Sequence, residues 1–220
     1  MPELLNILFS DASLVSYWRM EGNSNDSKGS NNGTDTSITY SVNNGVYGQG
    51  AGFGGSSKIS IANVAALNPA NISFVAWIRA TSLGNTFNSI ESFEDTADGH
   101  TLLIKSNGKL GVFLDGASAV SYDGTGANTL VTGVWYHLAF TYDGTTLRGY
   151  VNGVQDGSAT GTWSNAAVDT DPFLLGDSHF ASRTFTGEID DAAIFNRALS
   201  AGEIYDLFQA GDTGGIFILQ

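Results

Sequence analysis

The sequence predicts an all-β protein: two antiparallel sheets packed as a jelly-roll sandwich, with one short C-terminal helix. Three observations support this. Glycine is abundant, 28 of 220 residues, and charge is low at 14%, with Ser, Thr and Asn filling the intervening segments. Runs rich in aromatic and β-branched residues recur, roughly a dozen or more along the chain, a number suited to two sheets. Two-residue turn signals separate several of them, at Asn107-Gly108, Asp143-Gly144 and Asn152-Gly153.

The elements follow in order. Residues 1–13 read as an N-terminal extension or a short helix, since Pro2 suits a first helical turn; a linker to something upstream is the alternative. Residues 14–20 form the first strand. The polar loop at 21–33 is dense in oxygen donors and reads as a metal loop or as a plain turn; it lacks the closing glutamate of an EF-hand. Strands at 37–42 and 59–61 flank a glycine-rich link containing Gln49-Gly50-Ala51-Gly52-Phe53. No Gly-Lys-Ser/Thr and no helix pattern follows, so these glycines signal close backbone packing rather than a phosphate loop.

Residues 71–80 are apolar on both faces, as in a strand covered on both sides. Shorter strands are expected at 87–94, 101–105, 109–114 and 120–122, and residues 134–156 parse as a three-stranded meander. Strands recur at 173–175 and 183–195. In the last, alternation sets Ile189, Asp191, Ala193 and Phe195 on one face and Glu188, Asp190, Ala192 and Ile194 on the other. One aspartate then opens onto the core, where a carboxylate needs a metal, N–H donors or a cation. Ser200-Ala201-Gly202-Glu203 is a capping box, Ile204, Leu207 and Phe208 share a helical face, and Gly211 can end the helix. Residues 14–211 make one domain. The tail, 212–220, holds the apolar run Gly214–Leu219, which either packs back or adds as a strand to a neighbour's sheet edge.

The net charge of −13 argues against nucleic acid and anionic membranes as partners. No apolar run approaches about 18 residues, so no membrane insertion is expected. With no cysteine there is no disulfide and no thiolate chemistry. The apolar run at the N-terminus lacks a basic region and a cleavage site, so the chain shows no secretion signal. His100 and His179 read as loop-borne and His137 as a hydrogen-bonded sheet histidine. Glu91 and Asp95 share a strand face with Phe93 between them, but match no catalytic motif. The chain is expected not to be an enzyme.

Several landmarks together resemble the laminin-G-like, concanavalin A-like lectin/glucanase jelly-roll domains over residues 14–210. They are Leu14-Val15-Ser16-Tyr17-Trp18-Arg19-Met20-Glu21-Gly22, Asp26-Ser27-Lys28-Gly29-Ser30-Asn31-Asn32-Gly33 and Phe74-Val75-Ala76-Trp77-Ile78. Further along come Trp135-Tyr136-His137-Leu138-Ala139, Tyr142-Asp143-Gly144 and Tyr150-Val151-Asn152-Gly153. The last are Phe185-Thr186-Gly187-Glu188-Ile189-Asp190-Asp191 and Asn196-Arg197-Ala198-Leu199-Ser200. The resemblance implies one convex and one concave sheet. It also implies a structural calcium ion (Ca2+) where the first strand's end meets the last strand, held by Asp190 with Glu21 and Asp26. A carboxylate pinned by backbone N–H groups, or paired with Arg19, Arg79, Arg183 or Arg197, is the alternative.

Glycoside hydrolases of this superfamily carry Glu-x-Asp-x-x-Glu. Glu188-Ile189-Asp190 begins that pattern, but Ala193 stands where the second carboxylate belongs. The resemblance therefore implies a non-enzymatic carbohydrate-binding or adhesion module whose partner is a glycan. Trp163, Tyr122, Phe180 and Asn128, in turn-rich segments, are its candidate contacts. The alternative is a structural or decoration protein of a virus particle or cell surface, partnered by a neighbouring protein or by its own copies as a homo-oligomer. Either role places the chain in an extracellular or surface-exposed setting.

Overall fold

The computed structural model describes residues 2–93, 99–115, 120–163 and 171–212. In chain order the elements are α1 (Pro2–Ser10), β1 (Leu14–Trp18), β2 (Gly33–Thr36), β3 (Thr39–Ser41), β4 (Gly50–Phe53), β5 (Lys58–Ile61) and β6 (Ile72–Ser82). Next come β7 (Phe87–Ser92), β8 (Gly99–Lys105), β9 (Leu110–Asp115), β10 (Val120–Asp123), β11 (Trp135–Tyr142), β12 (Thr146–Val151) and β13 (Val154–Thr160). The last are β14 (Phe173–Leu175), β15 (Thr186–Phe195) and α2 (Ala201–Asp212). The larger sheet runs β13-β12-β11-β6-β15-β4-β3, with β1 also paired to β15; the smaller runs β10-β9-β8-β7-β14-β5-β2. Every pair is antiparallel. Neighbours distant in sequence, such as β6 with β15 and β7 with β14, make this a jelly roll rather than a simple meander.

Two cores hold the layers. Between the sheets lie Trp18, Phe74, Ile78, Phe140, Phe173, Ile189 and Ile194, with Trp18 stacked on Phe173 at 5.5 Å. A second core forms on the outer face of the larger sheet, where Leu4 and Leu8 of α1 and Ile204 and Leu207 of α2 meet Tyr17, Val75, Ala139 and Phe195. This second core explains why β6 and β15 are apolar on both faces. The start of α2 is fixed by its capping box: Glu203 N–H donates to Ser200 Oγ at 3.3 Å, and Ser200 N–H to Glu203 Oε2 at 2.7 Å. Among the described residues no helix is long and apolar enough to cross a membrane.

The structure corrects the expected phase of β15. Ile189, Ala192 and Ile194 face the inner core while Ala193 and Phe195 face the outer one. The pairing of β15 with β6 slips between Asp190 and Ala193, and Asp191 sits at a φ of 48°. This is a β-bulge, and it inverts the alternation beyond it. The glycine-rich link holds a strand, β4, whose glycines do serve close packing: a Cβ on Gly50 would fall 2.0 Å from Asn44 O. His100 belongs to β8 rather than a loop. Asp95 and the apolar tail segment 214–219 lie outside the described residues.

Candidate functional site

The expected metal junction can be followed atom by atom. The Asp190 Oδ2 accepts the N–H groups of Val46 and Tyr47 at 2.8 and 3.2 Å, and its Oδ1 accepts that of Asp191 at 3.0 Å. Glu21 Oε2 accepts Gln49 N–H at 3.0 Å, so Asp190 and Glu21 grip the two ends of one stretch before β4. Asp26 accepts Tyr17 N–H and Lys28 N–H at Oδ1 and Asn31 N–H at Oδ2. Each of the three carboxylates thus faces the positive ends of backbone dipoles, whereas calcium takes six to eight oxygens. Among the described residues no three His, Cys, Asp or Glu side chains gather closely enough to hold a metal ion. The trio as arranged does not fit a calcium site. Pinning by N–H groups, the alternative left open by the sequence, describes the geometry.

The bulge brings a second carboxylate to the same side of the sheet. Asp191 accepts the Tyr17 hydroxyl at one oxygen, and its Oδ2 is buried with no hydrogen-bond partner. Burial, then the neighbouring Asp191 charge, pushes the Asp190 carboxyl well above the usual carboxylate range. Burial raises Asp191 as well, against the Tyr17 bond and the Arg19 charge, which hold it down.

The expected ligand residues land in different surroundings. Tyr122 is buried in the inner core, and its hydroxyl donates to Asp156 Oδ2 at 2.7 Å. Asn128 donates to the other oxygen of Asp156 from its N–H and its Nδ2, at 3.0 and 2.7 Å. The fold therefore does bring Tyr122 and Asn128 together, but at a carboxylate that ties down the segment around Asn128. Trp163 is buried too, with its indole edge-on to Tyr142 and His100. Neither Tyr122 nor Trp163 offers a ring face to solvent. Phe180 is half-buried in the loop between β14 and β15, and its ring lies 4.4 Å from the Arg183 guanidinium, which also covers Phe87 at 5.0 Å.

The histidines are poorly placed for chemistry. His137 is buried between Trp77 and Phe208, where burial alone pushes it down to about 3. His100 is wholly buried: its Nε2 donates to Leu67 O at 2.9 Å, and its Nδ1 lies 3.1 Å from Glu91 Oε2. His179 Nε2 donates to Pro172 O at 2.8 Å.

Beyond α2 no helix among the described residues covers the outer face of the larger sheet at Trp135 and Arg79, and here the sequence reading missed a group. Trp135, Arg79 and Glu188 stand in register on β11, β6 and β15, and the row continues to Gly52 on β4 and Thr39 on β3. Arg79 Nε donates to Glu188 Oε2 at 2.9 Å, and a terminal nitrogen donates to Asn43 O at 2.7 Å. The guanidinium lies 5.1 Å from the centre of the Trp135 ring, and Trp135 itself is half-buried. Gly52 makes room for the protein itself: a Cβ there would come within 2.7 Å of Asn44 Nδ2 and Thr39 Oγ1, which lie over it and cover this end of the row. Val134, just before Trp135, is 44% exposed, and Val42, just before Asn43, is 68% exposed. An indole beside a guanidinium, a carboxylate, an amide and a hydroxyl can meet the apolar face and the hydroxyls of a sugar together. The available signal was Arg79, which interrupts an otherwise apolar strand, and Glu188, which precedes the apolar part of β15.

Comparison with known proteins places the fold. The model of the family Laminin_G_3, described as the concanavalin A-like lectin/glucanases superfamily, matches residues 53–205. No curated protein matches the sequence. Among solved structures, domain 4 of AbnA, a GH43 extracellular arabinanase from Geobacillus stearothermophilus in complex with arabinotriose, is 24% identical with a TM-score of 0.75. The match covers 90% of this chain and 98% of that one. The binding domain of Paraclostridial Mosquitocidal Protein 1 is 17% identical at a TM-score of 0.70, over 89% of this chain and 52% of that one. Trypanosoma rangeli sialidase is 18% identical at 0.71, over 94% of this chain and 34% of that one. Likeness at these identities is likeness of fold.

Proposed function

This chain belongs to the concanavalin A-like lectin/glucanases superfamily, and we propose that it serves there as a carbohydrate-binding module that holds glycans without cleaving them. The observation that supports this is the row on the larger sheet where half-buried Trp135 stands in register with Arg79 and Glu188. Polar groups of both hydrogen-bonding senses lie beside an indole on a surface that neither helix covers. The arabinanase domain of the same fold is seen with arabinotriose, which agrees with this use of the scaffold.

Cleavage is not part of the reading. Glycoside hydrolysis takes two carboxyl groups flanking the bond, and Glu188 is the one carboxylate in the row, already bonded to Arg79. The reading does not depend on calcium, because Asp190, Glu21 and Asp26 are not members of the row. A module that holds glycans works where glycans are displayed, so we place it at an extracellular or surface-exposed site.

Titration calorimetry of the full chain against neutral polysaccharides tests the proposal. We expect binding that falls by about tenfold or more in Trp135→Ala, with the thermal midpoint close to that of the parent. Binding that survives this substitution in a folded protein would remove the row as the site.

A further inference from the structure

We infer that the groove between the two helices docks a short segment of a partner polypeptide, one in which a lysine or arginine stands beside an apolar residue. This second site does not rest on the glycan-binding reading. It is a cleft of about 380 Å³ where the end of α1 meets the start of α2 over the larger sheet. That is the small end of the roughly 300–1,000 Å³ typical of ligand clefts. Phe195, Leu199 and Leu207 line it and are buried, and Ile7 beside them is half-buried. Together they make an apolar floor.

The mouth of the groove is acidic. Asp11, Glu203 and Asp206 stand around the floor, and Arg197 is the cation that meets them. Arg197 is committed to the protein: its Nε donates to Ser13 Oγ at 2.9 Å, and its terminal nitrogens donate to Glu203 at 3.0 and 2.6 Å and to Asp11. Asp206 is exposed and makes no ion pair among the described residues. Helix α1 adds to the same field, because it ends at the groove with no basic residue in its last turn, and a helix carries partial negative charge at that end. Among the described residues no three His, Cys, Asp or Glu side chains gather closely enough to hold a metal ion. The cation that fits is an organic one, with its charge at the mouth and its apolar stem along the floor.

The shape favours a side chain over a free small molecule. The groove is open on one side, where Ser10, Ala12 and Asp206 are exposed. A side chain can enter it while the main chain stays outside. A free ligand would be left partly in water, against the roughly 70–90% burial usual in small-molecule sites. Two nearer occupants suit the charge less well. The tail, 212–220, contains an aspartate and no lysine or arginine. A second copy of the chain would bring its own −13 to the contact.

Fluorescence anisotropy of the full chain with a labelled Gly-Ser-Leu-Lys-Leu-Ser-Gly peptide, at up to about 1 mM protein, tests the inference. Norleucine in place of the peptide's lysine should weaken binding about tenfold, and glutamate should weaken it further. Serine in place of both leucines should also cost about tenfold. As a competitor, n-hexylammonium has the charge and the stem without the main chain, and should be at least about tenfold weaker than unlabelled peptide. Asp206→Asn should cost about threefold or more. Ala12→Trp, which fills the exposed lip with the chain's own indole, should abolish binding. Asp123→Asn on β10 removes a carboxylate elsewhere and should leave affinity within about twofold. A thermal midpoint for each variant shows that it is folded.

A lysine peptide that does not bind, or that binds no better than its norleucine or glutamate form, overturns the inference. Binding indifferent to both Ala12→Trp and Asp206→Asn does so too, because the segment then lies elsewhere. Equal competition by n-hexylammonium would make the occupant a small amine instead. A gain of about tenfold in Phe217→Asp would put the chain's own tail in the groove, and a dimer in sedimentation that Ala12→Trp dissolves would put a second copy there; each overturns the partner segment. None of these results bears on glycan binding, which Trp135→Ala tests separately.

Discussion

A bulge at one residue, Asp191, puts two buried carboxylates on the same side of the larger sheet. Burial first, and then their mutual charge in the case of Asp190, raises both above the ordinary carboxyl value. The sign of the linkage follows. Between the unfolded value of about 3.9 and the raised values, the native state binds more protons than the unfolded state, so stability falls as pH rises. The thermal midpoint should therefore be highest near about pH 5 and decline towards about pH 8. Below about pH 4 the trend turns over, because acids such as Glu203, held low by Arg197, lose their charge there. Asp191→Asn should flatten the decline above pH 5 in a series of melting curves. If the slope is unchanged in that variant, the dependence belongs to Asp190 or to Glu91, each raised by burial, and these become the groups to replace.

At the scale of elements, helix α1 is held by apolar burial against the outer face of the larger sheet. Leu8 is 2% exposed there, in a cluster shared with Tyr17, Phe195 and Leu207. Leu8→Ala should cost about 2–5 kcal/mol of stability, read by urea denaturation, and should leave glycan affinity untouched because the row lies beyond the helices. A loss well under 1 kcal/mol would mean that α1 adds little to the fold. The sequence made the need for such a cover visible, since β6 and β15 run apolar on both faces, but it left the first residues open between helix and linker. It also displayed the meander, the capping box and the superfamily resemblance that the family match bears out. It could not show β4, whose glycines hide strand propensity because they serve close backbone contact. Nor could it show the bulge at Asp191, a two-dihedral event that inverts every following side chain. The same limit hid the proposed row: Trp135, Arg79 and Glu188 come from three strands distant in sequence and meet only through pairing register. Tyr122 and Trp163 failed as surface candidates for a related reason, since turn-rich flanks say nothing of which way a ring points.

For the whole molecule, the decisive quantity is a charge of −13 on 220 residues. Self-repulsion at that charge opposes the compact state and is screened by salt, over a Debye length of about 10 Å at 0.1 M. Sodium chloride should raise the thermal midpoint steadily, and any divalent cation should do so more efficiently per mole. This generic effect is what a calcium response must exceed. Asp190, Glu21 and Asp26 already accept backbone N–H groups, so a calcium ion entering among them would have to displace those donors. Calcium should therefore raise the midpoint no more than magnesium at matched ionic strength, and EDTA should leave it unchanged. A bound ion at about a hundred times its dissociation constant would instead add about 2.7 kcal/mol. A calcium-specific rise of that order, abolished by Asp190→Ala, would mean that the N–H donors give way to the ion. It would also tie the loop before β4, and through it Asn44 over Gly52, to the metal.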